Sequence, residues 1–179
     1  LKPGGGAKMA RAAGVSVPRP HGYYHGVLLM ELVVDDAGFS APRLGEVELS
    51  AEQARWFHAE LMADVVRMLC CGLIHGDLSE YNLLVDEHGP VIIGLQQAID
   101  AAANSTAAEM LERDVNNLRS YFSAFAPSLK DTQYGKEIWA LYESGLLQPD
   151  QVLTGQVELD ESLADVDAVL QQIEEAIKE

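Results

Sequence analysis

The chain has 179 residues, 48% of them hydrophobic, enough for one domain-sized core and too apolar for a disordered polymer. Its formal net charge is −16, and no basic stripe offers the footprint that duplex nucleic acid requires. No apolar run reaches the length of about 18 residues that reads as a membrane span.

The acidity is uneven. Residues 1–75 hold 7 basic and 8 acidic side chains, whereas residues 76–179 hold 5 and 20. Such an excess reads as a solvated acidic surface. The N-terminus, Leu1-Lys2-Pro3-Gly4-Gly5-Gly6, has no apolar signal core and does not begin with Met. Cys70 and Cys71 are adjacent, a spacing that rarely reaches disulfide geometry without strain. They read as reduced thiols at a helix end, which suits a cytoplasmic location.

Residues 1–8 read as a flexible lead, and Met9 to Ala13 as the last turns of a helix stopped by Gly14. Val15-Ser16-Val17-Pro18-Arg19-Pro20 is predicted extended, because residues before proline avoid the helical region. Tyr23 to Val34 reads as a hairpin around His25-Gly26. Its second arm, Val27 to Val34, is apolar on both faces except at Glu31. Ser50 with Gln53 forms a capping box and opens the strongest helix. Phe57, Leu61, Val65 and Leu69 form its buried stripe, and Gly72 ends it. Asn82 to Val85 and Pro90 to Ile93 form a second predicted hairpin around Asp86-Glu87-His88-Gly89. Leu111, Val115, Leu118 and Phe122 mark another helix. Ile138, Leu141 and Tyr142 mark one closed by Gly145, and residues 163–177 mark a last amphipathic helix. The order predicts an α+β fold, mostly helical with short β-hairpins.

Between the long helix and the second hairpin lies His75-Gly76-Asp77-Leu78-Ser79-Glu80-Tyr81-Asn82. Phosphoryl transfer needs a carboxylate that orients the attacking hydroxyl and oxygen ligands that hold Mg²⁺ on the phosphates. Asp77, followed five residues later by Asn82, supplies one of each: a carboxylate to accept the hydroxyl proton and a hard neutral oxygen for a magnesium shell. A turn in which Asp and Asn bond their own backbone is the plainer alternative. His-Gly-Asp-Leu between a helix and a hairpin favours a phosphotransferase loop.

These residues resemble the RIO-type atypical serine/threonine protein kinases, their bacterial members in particular. The matching segments are Ala13 to Pro20, Val27 to Val33, Ala41 to Leu44, Leu73 to Leu84, Pro90 to Ile93, Arg113 to Leu118 and Ile138 to Tyr142. Ser79-Glu80-Tyr81-Asn82 is the most specific stretch, since ordinary protein kinases carry a Lys at the position of Ser79. The resemblance implies a protein-kinase-like C-terminal lobe over residues 9–179, with a hinge at residues 27–34. It implies Asp77 as the catalytic carboxylate and Asn82 as a magnesium ligand. Met30, Glu31 and Val33 would meet the adenine of ATP through the hinge, with Leu84 and Ile93 walling the pocket. His75 would buttress the loop. Gly76 replaces an Arg that in many kinases grips a phosphorylated activation loop, so no switch of that type is expected.

Two departures follow from the resemblance. The family's main magnesium ligand, an Asp, corresponds to Gly94, which has no side chain to bind metal; Gln97 still matches the end of that motif. Asp77 or Asp100 would have to approach the ion instead. The N-terminal β lobe, with its Gly-rich phosphate loop and Lys, is expected to be absent from this chain. Gly4-Gly5-Gly6 reads as a linker, and neither Lys2 nor Lys8 sits on a predicted strand.

The expected function is therefore ATP- and Mg-dependent phosphoryl transfer to a protein hydroxyl in the parent family, with this chain inactive or impaired. A pseudokinase or interaction scaffold is the second reading. A small-molecule phosphotransferase of the aminoglycoside or choline kinase type is the third. The expected partners are nucleotide and a protein substrate, with no membrane. His58 is expected on the surface, Trp56, Trp139 and Tyr142 in the core, and Tyr81 in packing.

Overall fold

The computed structural model describes residues 4–157. The helix expected over 163–177 lies outside them. In chain order the elements are α1 (Gly5–Ala12), β1 (Pro20–Tyr24), β2 (Val27–Met30), α2 (Ala51–Cys70), β3 (Leu73–Ile74), β4 (Leu83–Asp86), β5 (Gly89–Ile92), β6 (Ile99–Asp100), α3 (Ala107–Ser123) and α4 (Tyr134–Glu143). The strands pair antiparallel as β1–β2, β3–β6 and β4–β5, and the helices carry most of the core. No helix among the described residues is long and apolar enough to cross a membrane.

Helix α2 organises the molecule. Ser50 accepts from the Gln53 N–H at 3.1 Å while the Gln53 side chain accepts from the Ser50 N–H at 3.0 Å, so the expected capping box forms. Phe57, Leu61, Val65 and Leu69 are all buried. The stripe expected on α3 is buried as well: Leu111, Val115, Leu118 and Phe122. Periodic apolar side chains with nowhere else to go specify both elements. The extended segment before Pro18 buries Val15 and Val17. It is held on one side by the Ile92 N–H, which donates to the Ser16 carbonyl at 2.7 Å. On the other, the Ser16 N–H donates to Asp64 at 3.2 Å.

Four expectations are corrected. Residues 5–8, expected in a flexible lead, belong to α1, which begins at Gly5 and buries Ala7 and Ala10. That burial outweighs the loss of about 1 kcal/mol that glycine brings to a helix. The second hairpin arm ends as a strand at Met30, and Val27, Leu29 and Leu32 stand 66%, 54% and 72% exposed. Trp56 and Tyr81 face solvent rather than core, at 46% and 70% exposure.

His58 is the fourth correction. It is buried on α2 between the rings of Phe122 and Tyr134, and its Nε2 has no hydrogen-bond partner. Burial lowers its pKa from 6.5 to about 4. The unfolded chain therefore takes up this proton before the folded one does. Stability is complete above the unfolded pKa and falls as pH drops toward 4, by about 3 kcal/mol in all. His58→Leu should abolish this acid-side loss; urea melts near neutrality and near pH 4.5 that fall equally in both proteins would refute it.

Candidate active site

Strand β3 delivers the chain directly into His75-Gly76-Asp77. The loop then turns through Glu80–Asn82 into β4. Asp77 is exposed although Gly76 and Leu78 on either side are buried. A carboxylate is thus presented to solvent from a backbone that cannot move freely.

Three side chains of α3 secure that backbone. Asp114 is buried and accepts from the N–H groups of Gly76 at 2.7 Å and Leu78 at 3.0 Å. Arg113 donates to the Gly76 carbonyl, and Asn117 donates to the Leu78 carbonyl at 3.1 Å. Burial pushes the Asp114 carboxyl up, against the N–H donors and the nearby His75 and Arg113 that favour its charged form. Asp114 was not singled out in the sequence. The available signal was an acid flanking Val115 inside an apolar stripe, where only a partnered carboxylate is tolerated.

His75 secures the other side. One ring nitrogen lies 2.8 Å from the Ile93 carbonyl, and Nδ1 accepts from the Asp77 N–H at 3.3 Å. Together these contacts link the loop to the end of β5. The expected buttress is therefore present. Gly76 has φ +84°, and a Cβ there would stand 3.1 Å from Met110. Glycine at this position has a conformational reason independent of any activation-loop switch.

Asn82 turns toward Asp77: its Nδ2 donates to the Asp77 carbonyl at 2.7 Å and lies 3.4 Å from the carboxylate Oδ2. Its Oδ1 faces Gly94, where an added Cβ would stand only 2.8 Å away. Asn82 and position 94 are therefore neighbours. Magnesium is usually held by one or two carboxylates together with substrate phosphates. Here position 94 offers none. Among the described residues no group of three His, Cys, Asp or Glu side chains could hold a metal. Asp100 is engaged in its own turn, where Oδ1 accepts from the N–H groups of Ala102 at 2.9 Å and Ala103 at 3.2 Å. Asn82 and Gly94 do not make up a magnesium site on their own.

The residues expected around adenine are not gathered into one pocket. Met30 and Ile93 line an apolar cleft with Ala7, Val17, Leu28 and Gly94, whose free volume of about 10 Å³ has room for no more than one water. Glu31 and Val33 line an adjoining cleft of about 400 Å³ with Arg11, Asp86 and His88. Leu84 stands in the β4–β5 ladder opposite Val91. In the segment expected as the hinge, the Glu31 N–H donates to the Arg19 carbonyl and the Val33 carbonyl accepts from the Ala41 N–H, both at 2.9 Å. Among the described residues the Glu31 carbonyl and the Val33 N–H carry no such bond, leaving one acceptor and one donor open on that edge.

A carboxylate on a loop braced from a helix, with an Asn five residues on at the head of a hairpin, is the arrangement expected of a kinase-like fold. The sequence pattern of the RIO domain matches residues 7–134, and the chain belongs to the RIO domain family. It is 41% identical over 116 residues to the RIO-type serine/threonine-protein kinase Rio1 of Haloferax volcanii, covering 63% of this chain and 38% of that protein. It is 35% identical over 111 residues to the Rio1 kinase of Thermoplasma acidophilum, covering 62% of this chain and 55% of that protein. Against the serine/threonine-protein kinase RIO1 of Caenorhabditis elegans the identity is 36% over 110 residues, 61% of this chain and 21% of the relative. The chain thus spans between about a fifth and just over half the length of these relatives.

Proposed function

We propose that this chain is the C-terminal lobe of a RIO-type serine/threonine kinase, and that its phosphoryl transfer is impaired at the metal-binding step. The observation that carries this reading is the Asp77–Asn82–Gly94 arrangement. Asp77 is held rigid and exposed, Asn82 is oriented on it at 2.7 Å, and the neighbouring position lacks a carboxylate. In the parent activity ATP is the phosphoryl donor and Mg²⁺ neutralises charge on its phosphates.

Within this chain, Asp77 would accept the proton of a substrate hydroxyl. Asn82, by donating to the Asp77 backbone, would keep that carboxylate aimed at the acceptor. The open Glu31 carbonyl and Val33 N–H match the alternating acceptor and donor of an adenine edge. The free thiols of Cys70 and Cys71 suit a reducing compartment such as the cytoplasm.

With labelled ATP, Mg²⁺ and a generic protein substrate, this chain should show little or no transfer. Any residual rate should fall a further 10²–10⁴-fold, roughly, in Asp77→Asn, the usual contribution of a positioned base. Robust turnover that vanishes in Asp77→Asn would overturn the impairment. A pseudokinase role is the second reading, favoured by Gly94 and the closed Met30–Ile93 cleft. Thermal stabilisation by ATP without turnover would support it.

A further inference from the structure

Away from the catalytic loop, three basic side chains meet in one cleft. Arg119, Lys130 and Lys136 line a cavity of about 470 Å³ between α3 and the first turn of α4. Residues 76–179 contain only 5 basic side chains, and these are three of them. Among the described residues none of the three forms an ion pair, although the chain carries 28 acidic side chains. Lys130 and Lys136 are exposed. Arg119 is half-buried and fixed by donation from Nη1 to the Thr132 carbonyl at 2.9 Å, which leaves other donors of its planar fork available.

Helix α3 places these groups on a face of their own. Arg113, Asp114 and Asn117 grip the catalytic loop. Glu112, Asn116 and Arg119, at helical spacings of four and three, face the cleft. Convergent unpaired cations repel one another, and an anion among them removes that repulsion. The carboxylates of Glu112 and Asp131 also line the cleft and offset two of the three positive charges. A ligand bound there must therefore carry more than one negative charge and several acceptor oxygens to prevail over them.

We propose that this cleft binds a phosphate group, carried either on a free small molecule or on a phosphorylated side chain. The group's charge of nearly −2 and its three acceptor oxygens suit one Arg fork, two mobile ammonium groups and the Asn116 amide. The site stands apart from Asp77 and does not depend on the impairment proposed there.

The test is calorimetric titration of the whole chain with inorganic phosphate, a phosphoserine peptide and an unphosphorylated acidic peptide of equal length. Saturable binding of the first two is expected. It should weaken about tenfold in the Lys130→Gln/Lys136→Gln double variant and strengthen several-fold in Asp131→Asn. Both lysines are exposed, so the double variant should melt as the parent does. Tighter binding of the peptide than of free phosphate would assign the ligand to a phosphorylated side chain; equal or weaker binding would assign it to a small molecule. The proposal is overturned if neither phosphate ligand saturates, if the double variant binds unchanged, or if the unphosphorylated peptide binds as tightly.

Discussion

Gly94→Asp should make ATP binding by this chain strongly Mg²⁺-dependent while lowering the intrinsic stability of the fold. A charged ligand on the ion is worth several kcal/mol in the transition state, or roughly a thousandfold in rate where transfer occurs. Two costs oppose the gain. Position 94 has φ +86°, where a non-glycine residue loses about 1–2 kcal/mol; aspartate is among the side chains that tolerate it best. The new Cβ would also lie 2.8 Å from Asn82 Oδ1 and 3.1 Å from its Cγ. The amide must therefore shift and will strain its 2.7 Å bond to the Asp77 carbonyl. Gly94→Ala separates these effects, since it carries at least the same backbone strain and the same Cβ clash without a carboxylate. Both variants should melt earlier than the parent, and only Gly94→Asp should gain thermal stability from ATP that requires Mg²⁺. Identical titrations of the two variants would refute the metal argument.

Asp114→Asn is expected to be the most damaging single change near the site. The carboxylate accepts two backbone N–H groups, from Gly76 and Leu78, in a fully buried position. An amide has one acceptor oxygen and would turn its NH₂ toward one of those donors. Leaving a buried N–H unpaired costs about 1–3 kcal/mol. The two N–H groups bracket Asp77, so the same change should loosen the one residue the loop must hold still. Urea unfolding should show the stability loss, and amide exchange at Gly76 and Leu78 should accelerate. Protection of both amides equal to the parent's would show that Asp114 does not hold the loop.

Much of this protein follows from local pattern. The capping box at Ser50 and Gln53, the stripes of α2 and α3, and the turn glycines at 72 and 145 were legible because each depends on residues a few positions apart. The Asp77–Asn82 pair was legible for the same reason: both sit in one eight-residue loop. Long-range packing decided the rest. His58 and Trp56 lie two residues apart on one helix, and only the arrival of Phe122 and Tyr134 determines which of them is buried. The early start of α1 likewise reflects the burial of Ala7 and Ala10 rather than helix propensity.

At the site itself, the sequence alone determined that a carboxylate and an amide stand five residues apart and that position 94 has no side chain. Tertiary structure decided what those facts mean. A contact spanning 38 positions places Asp114 beneath the loop that carries Asp77. The β4–β5 pairing brings the end of β5 back beside the start of β4, so that Gly94 comes to face Asn82. The gathering of Arg119, Lys130 and Lys136 around one cleft arises from the docking of α4 on α3. Side chains distant in sequence meet only when buried surfaces force the backbone together, and no local spacing encodes that encounter.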